Sequence, residues 1–378
     1  MKKKIFIIRC AKLLCLILCF VLLSGLALDC CRYYDYNVNR LAGFYAEPRN
    51  TLDVVLLGSS EVFTGFSSGL AYELFGFTSY PYALDAVPGV LFESQVREIT
   101  KYQNPQWILV DINGFLYDDP EVHTDGGRLR RYLNNIPFSW NRIKTITEMV
   151  PSEEWYFYFY PLAKSHDNWK EVWNQRDKIL DYYKIKWNGS VLKGNVTSVY
   201  NGELPQALDV YHDDSTLPLE KMSEQYLRSF LEYCRENGIK ILFVRFPHII
   251  SDDQLVDRHK RGNEAKRIVA EYGIPFVDLE QEAAAIGLDY TKDFYNEDHL
   301  NVYGQQKLTA YMGKILVEQY GVVPGALTQK QKESWNTSAE YTRLFFAYYD
   351  VCLENGKLGA MDETRSLIFQ LTQMKEAK

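Results

Sequence analysis

Apolar and polar positions fall into distinct regimes along the chain. Residues 1–12 carry Lys2, Lys3, Lys4, Arg9 and Lys12, and Leu13 to Leu28 then run without a charge. A spanning helix wants about 20 apolar residues. This run is slightly short, but Ile5 to Ile8 extend its apolar face and the aliphatic stem of Lys12 can lie along it. The cations ahead of the run place the N-terminus in the cytoplasm and everything after it outside. A cleaved signal peptide, with small Gly25 and Ala27 at a cleavage site, is the competing reading. The uncleaved anchor over residues 1–31 is preferred, and Asp29 directly before Cys30 argues against lipoprotein processing.

Residues 32–50 read as a polar, tyrosine-bearing linker. Beyond them short apolar runs alternate with helix-like stretches. Val54–Leu57 is an unbroken apolar run, as suits a strand buried on both faces. Helices are expected over Ser67–Phe75 and Pro88–Tyr102, with strands at Ser79–Leu84 and Trp107–Ile112. The alternation is lost from about 114 to 215, a stretch holding Trp155 to Tyr160, Trp169, Trp173 and Trp187. That stretch is too apolar for a disordered linker and reads as an elaboration over the carboxyl edge of the sheet. The pattern resumes with a helix Leu219–Asn237 stopped by Gly238, a strand Ile239–Phe246, a helix Asp252–Tyr272, a strand Ile274–Leu279 and a closing helix Tyr303–Tyr320. Alternating strands and helices are the signature of a parallel α/β sheet. The unit spans 51–320. Residues 321–378 form a helical tail (Tyr341–Leu353, Glu363–Met374) without a motif.

Composition narrows the function more than the fold. With 47% hydrophobic and 24% charged residues the chain is globular. The 28 tyrosines and 20 phenylalanines are many, and core packing is their expected use. A net charge of −7 excludes a nucleic-acid partner on phosphate-binding grounds. Five of seven cysteines lie in the first 31 residues, leaving Cys234 and Cys352 as isolated thiols. No metal-ligand spacing exists, and no metal or other cofactor is expected.

The candidate chemistry begins where Val54–Leu57 stops at Gly58-Ser59-Ser60. A glycine there permits a tight strand-to-helix turn that lifts Ser60 onto the sheet edge where open α/β folds bind ligands. A serine hydroxyl needs a base within hydrogen-bond reach. Among six histidines, His299 alone sits in a block with sequence context, Asp293-Phe-Tyr-Asn296-Glu297-Asp298-His299-Leu-Asn301, just ahead of the closing helix. A Ser60–His299 separation within about 4 Å is expected. His248, at a strand end after Pro247, is a candidate substrate contact.

The two blocks together resemble the SGNH (GDSL-like) hydrolase superfamily over about residues 51–320. The likeness is closest to membrane-anchored, extracytoplasmic members linked to cell-wall acyl chemistry. It implies a flavodoxin-like three-layer α/β fold with Ser60 as nucleophile and His299 as base. By order along the chain, it also implies oxyanion donors at Ala86 or Gly89 and at Asn113. The superfamily's acid lies three residues before the histidine, where this chain has Asn296. Asp298 is the preferred substitute because only a carboxylate stabilises an imidazolium as an ion pair; Asp293 and Glu297 are the other acids of the block, and Asn296 itself can orient the ring as a neutral partner if Asp298 points away. The implied activity is a serine esterase or O-acyltransferase acting on acetyl or D-alanyl esters of an acylated envelope polysaccharide or teichoic-acid-like polymer. A membrane-bound O-acyltransferase is a further partner. The alternative is a weakly active or inactive envelope protein that binds glycan or such a partner.

Overall fold

The computed structural model describes residues 2–200 and 202–377. Its centre is a five-stranded parallel sheet built from β1 (Val54–Gly58), β2 (Ser79–Ala83), β3 (Trp107–Asp111), β4 (Ile241–Arg245) and β5 (Phe276–Asp278). Their spatial order is β2-β1-β3-β4-β5. That is the doubly wound, flavodoxin-like order, whose switch point lies between β1 and β3. Alternate side chains of each strand feed two cores. Val55, Leu57, Ile108, Val110, Ile241 and Phe243 point to one face; Val54, Leu56, Leu109, Leu242, Val244 and Val277 point to the other. Helices Phe92–Tyr102, Lys221–Glu236 and Asp253–Glu271 cover the first face. Helix Val302–Glu318 and the short helix Ser60–Gly65 cover the second. The three-layer expectation therefore describes the architecture.

The segment read as a linker is instead structural. Tyr36–Ala46 is a helix capped by the Asp35 carboxylate, with Asn37, Val38, Arg40, Leu41, Ala42, Gly43 and Phe44 buried. Its polar residues misled because they are interior. Arg40 donates to the Gly194 and Ala83 carbonyls at 3.0 and 3.1 Å and lies 3.4 Å from the Phe63 ring centroid. Asn37 Nδ2 donates to Asp85 Oδ2 at 3.0 Å. Buried polar groups are tolerated when they find such partners.

The tail is equally integral. Its first helix runs Gln329–Glu354, twelve residues earlier than the Tyr341 start read from periodicity, and opens on a capping box between Thr328 and Gln331. A short strand, Gly359–Met361, pairs antiparallel with Thr197–Val199 of the insertion. Buried Glu363 accepts from Ser190 Oγ (2.6 Å), Val191 N (2.9 Å) and Leu192 N (2.8 Å). Beside it, buried Lys193 pairs with Glu47 at 2.8 Å and stands 4.5 Å over the Trp335 ring. Linker, insertion and tail thus lock together beside β2.

The insertion divides. Residues 117–135 and 204–215 flank the carboxyl edge of the sheet, where Leu208 N donates to Ile250 O and Tyr211 to His248 O. Residues 155–188 instead pack against the Tyr36–Ala46 helix and the foot of the N-terminal helix Lys2–Cys31. That helix is apolar and long enough to cross a membrane, with its side chains from Ile5 to Leu23 exposed.

Trp335 is 2% exposed and belongs to the main core cluster although it lies in the tail. Trp335→Ala is therefore expected to cost about 3–5 kcal/mol of unfolding free energy in urea titration. A loss below about 1 kcal/mol would show that the tail rests on the domain without supporting it.

Candidate active site

The turn after β1 is shaped by one residue of β3. Gly58 has φ +153°, and a Cβ there would fall on the Asp111 side chain and 2.8 Å from Val62 Cγ2. With that space free, Asp111 Oδ2 accepts from both Ser59 N (3.2 Å) and Ser59 Oγ (2.8 Å), while Oδ1 accepts from Asn113 N (3.0 Å). Asp111 is fully buried. Burial, helped by neighbouring Glu61 and opposed by these hydrogen bonds, lifts its carboxyl to about 7. One side chain so fastens the turns after β1 and β3, and Ser60 enters the first turn of its helix at the switch point.

The histidine arrives from the far end of the chain. Asn301 caps the closing helix through Tyr303 N and Gly304 N, and its Nδ2 donates back to Lys292 O and Phe294 O. Gly304 is required because a Cβ would press on the Asp293 carbonyl and Leu300. Gln305, on the same helix, donates to Thr64 O at 2.8 Å and so ties it to the Ser60 helix. These contacts explain the His-Leu-Asn-x-x-Gly spacing. His299 Nε2 then lies 2.7 Å from Ser60 Oγ, and its Nδ1 lies 2.9 Å from Asn296 Oδ1. The Asp298 backbone N–H also points at Asn296 Oδ1, 3.1 Å away, and a backbone N–H can only donate. Oδ1 is therefore the acceptor, so Nδ1 carries the ring proton and Nε2 is free to take one from Ser60. Burial, partly offset by Glu61 and Asp298, holds the imidazole below its ordinary value. Burial thus favours the neutral ring. The Tyr295 ring stacks on it at 5.2 Å and 6°.

Asp298 requires a correction. It was preferred as the residue supporting His299, but its Oδ1 faces Arg258 Nη2 at 2.5 Å. Adjacent residues of a bent strand end point their side chains apart, so Asn296, three residues back, reaches the ring instead. Asp293 lies elsewhere, accepting from Lys307 at 2.6 Å and from Asp289 N. Glu297 contributes its carbonyl to Ile249 N.

His248 also moves from its expected place. It is buried rather than open to substrate, with Nδ1 2.7 Å from Glu280 Oε2 and Nε2 3.1 Å from Glu61 Oε1. Glu280 passes on to His259 Nδ1 at 2.6 Å. Burial opposes the charged imidazole, but Glu61 and Glu280 overcome it and lift His248 to about 10. Glu61, which directly follows the candidate nucleophile, accepts from Asn113 Nδ2 at 2.5 Å. One amide hydrogen of Asn113 is thereby fixed and the other left for a second acceptor. Glu61, Glu280, Arg258 and Asp111 were all missed in the sequence. Only the offset of Glu61 from Ser60 and the strand-end position of Asp111 could have signalled them.

The oxyanion candidates differ in setting. Ala86 takes a positive φ of 47° in the turn after β2. Gly89 is buried where a Cβ would strike the Phe115 ring, so its place is explained by packing. A cavity of about 320 Å³ opens beside Asn113 and is lined by Tyr117, Arg258, Arg261 and Asp298. A larger one, about 510 Å³, lies at the opposite edge of the sheet around Asn104 and Lys240. Glu61, His248 and Asp298 bring three possible metal ligands within 4.8 Å. The protonated His248 and the Arg258 guanidinium already supply the cations there, so the set fits a charge network better than a metal.

No family model and no curated protein matches the chain. Among solved structures, it is similar to a protein assigned to the G-D-S-L lipolytic family from Desulfitobacterium hafniense DCB-2. The identity is 11% and the TM-score 0.36, over 71% of this chain and all of that one. It is also similar to a protein assigned as a GDSL-like lipase from Parabacteroides merdae, at 13% identity and TM-score 0.31, over 71% of this chain and 96% of that one.

A raised histidine contributes stability that is complete below its unfolded value, about 6.5, and is lost as pH rises through its folded value. The melting temperature of the protein minus that of His248→Gln should accordingly be greatest near pH 6.5 and shrink toward pH 10. A difference that stays constant over that range would mean that His248 is neutral in the fold.

Proposed function

We propose that the chain is a membrane-anchored serine esterase or O-acyltransferase working through an acyl-enzyme on Ser60. The observation that carries the reading is the hydrogen-bonded line Ser60–His299–Asn296, with the imidazole neutral and its accepting nitrogen on the serine. As Ser60 Oγ attacks an ester carbonyl, its proton passes to His299 Nε2. The Oγ–C bond forms and the carbonyl electrons move onto oxygen. The Ser60 N–H, the second Asn113 amide hydrogen and the Ala86 turn are the donors assigned to that oxyanion. Collapse expels the alcohol, which takes the proton back from Nε2. A water or an acceptor hydroxyl then repeats the sequence on the acyl-enzyme. Hydrolysis and transfer share every one of these residues.

The N-terminal cations support a cytoplasmic start and a catalytic domain outside the cell, held by Lys2–Cys31. The acylated envelope polymer, teichoic-acid-like or polysaccharide, comes from the sequence resemblance and this location. A fluorophosphonate probe, which traps an activated serine, tests the chemistry. The full chain should be labelled at Ser60 and Ser60→Ala left unlabelled. Absence of label on the intact chain would falsify the enzyme reading.

One feature favours a second reading, a binding protein with a vestigial site: the partner of His299 is an amide, which cannot offset imidazolium charge. The two readings diverge on Asn296→Asp. A charged acceptor strengthens such a hydrogen bond roughly twofold, worth on the order of 1–2 kcal/mol, or about tenfold in rate. If Ser60 is a working nucleophile, kcat/KM on an aryl acetate should rise by about that factor. No turnover by either form would leave the binding protein.

A further inference from the structure

We infer that the cavity at the foot of the N-terminal helix is a binding site for the phosphate of an anionic membrane lipid. It rests on the anchoring just proposed and adds a ligand to it. The cavity holds about 360 Å³ and is lined by Arg32, Arg130, Arg131 and Lys164, with Asp35 the only acid. In a chain of net charge −7, four cations around one carboxylate run against the overall balance. Asp35 is already engaged, capping the Tyr36–Ala46 helix through Val38 N at 2.9 Å. Arg130 pairs with Glu154 at 2.6 Å, and Arg32 lies 3.6 Å from Asp29. Arg131 and Lys164 have no carboxylate partner among the described residues. Arg131 uses one Nη to donate to the Asp85 carbonyl at 2.6 Å, which orients the rest of its fork.

Depth relative to a bilayer names the kind of anion. Leu28, the last apolar residue of the spanning run, lines the cavity itself. The helix end is fixed beside it: Asn168 Nδ2 donates to Cys31 O at 3.0 Å, Cys31 Sγ to His166 O at 3.5 Å, and the Tyr183 hydroxyl bonds to Asp29. Trp169, next to Asn168, is 61% exposed, and Trp187, whose ring lies 4.9 Å from that of Tyr183, is 73% exposed. Bare indoles at the level where an apolar helix leaves the membrane are what the lipid–water interface selects. Phosphates occupy that level, and cations beside an anionic surface are drawn to it. Apolar Leu28, Val38 and Pro161 complete a wall suited to glycerol and the first methylenes. Through Asp85, the same Arg131 abuts the turn that carries Ala86.

The test uses the full chain reconstituted in nanodiscs of mixed phosphatidylglycerol and phosphatidylcholine, then moved into mild detergent. Retained lipid is identified by native mass spectrometry. The intact chain should keep phosphatidylglycerol at least about fivefold above its share of the bilayer. Arg131→Gln/Lys164→Gln should bring retention to parity, and Lys164→Gln alone, at an exposed side chain, should lower it. No preference in the intact chain, or a preference both variants keep, overturns the site. Displacement by low-millimolar glycerol phosphate would overturn the lipid as source, leaving a site for soluble phosphate esters. The supporting readings fail separately. Release of the chain from membranes by carbonate, with variant-sensitive binding to phosphatidylglycerol vesicles intact, removes the anchor and keeps the site. Fluorophosphonate labelling reports on Ser60 whatever the lipid result.

Discussion

A single buried carboxylate organises the carboxyl edge of the sheet. Asp111 ends β3 and collects three donors from two different turns, two from Ser59 and one from Asn113. Its side chain occupies the space a Cβ on residue 58 would take, which is why the strand can end only in glycine. The candidate nucleophile is one residue past Ser59, and the candidate amide donor is Asn113 itself. Their spacing is thus set by a common acceptor and not by the loops' own preferences. Burial pushes this acid toward the neutral form, and the three donors resist that push.

Behind the edge runs a line of close contacts from Glu61 through protonated His248 to Glu280 and on to the His259 ring, flanked by Arg245 bound through two hydrogen bonds to Asp278. Burying charge is costly unless every member finds a partner. Here the gain is positional. Glu61 cannot swing toward His299 while His248 holds it, so it stays a fixed acceptor for Asn113. Deleting the histidine would leave two buried carboxylates, Glu61 and Glu280, without the cation between them. The Ser60–His299–Asn296 line is treated oppositely: His299 meets an amide, and its neutral form is favoured. Glu61 and Asp298 act on this ring from nearby, but burial outweighs them, and the group that meets Nδ1 is uncharged.

Most of the sheet was legible because β1, β3 and β4 centre on continuous apolar runs, Val54–Leu57, Trp107–Val110 and Ile241–Val244. Gly58-Ser59-Ser60 and the His299 block were legible because turn and cap chemistry leaves residue-type signatures, such as Asn301 and Gly304. The rest hid for three physical reasons. Asn37 and Arg40 look like surface residues until their partners, contributed by residues 83, 85 and 194, are known. The first half of the tail helix carries its buried face on scattered Trp335, Ser338, Ala339 and Thr342, too polar for an apolar stripe. Asp298 was chosen on charge, but strand geometry decides reach, and reach favoured Asn296.

The same long-range partners tie the chain's two ends to its centre. The N-terminal helix is docked on residues 166–171, and the Tyr36–Ala46 helix after it stacks on residues 176–188 and on β2. Tyr36 then donates to Asp85 at 2.7 Å, in the turn beside the candidate site. Only four residues, Arg32 to Asp35, separate the two helices, and Tyr34 among them is buried. A join this short and this well packed cannot act as a flexible tether. On the proposed anchoring, the edge that carries Ser60 therefore keeps one fixed height and tilt above the bilayer. Under the proposed acyl chemistry, its reach would be restricted to acyl groups presented at that height, and selection among long polymers would follow from where along its length a chain is held, as much as from what the cleft contacts.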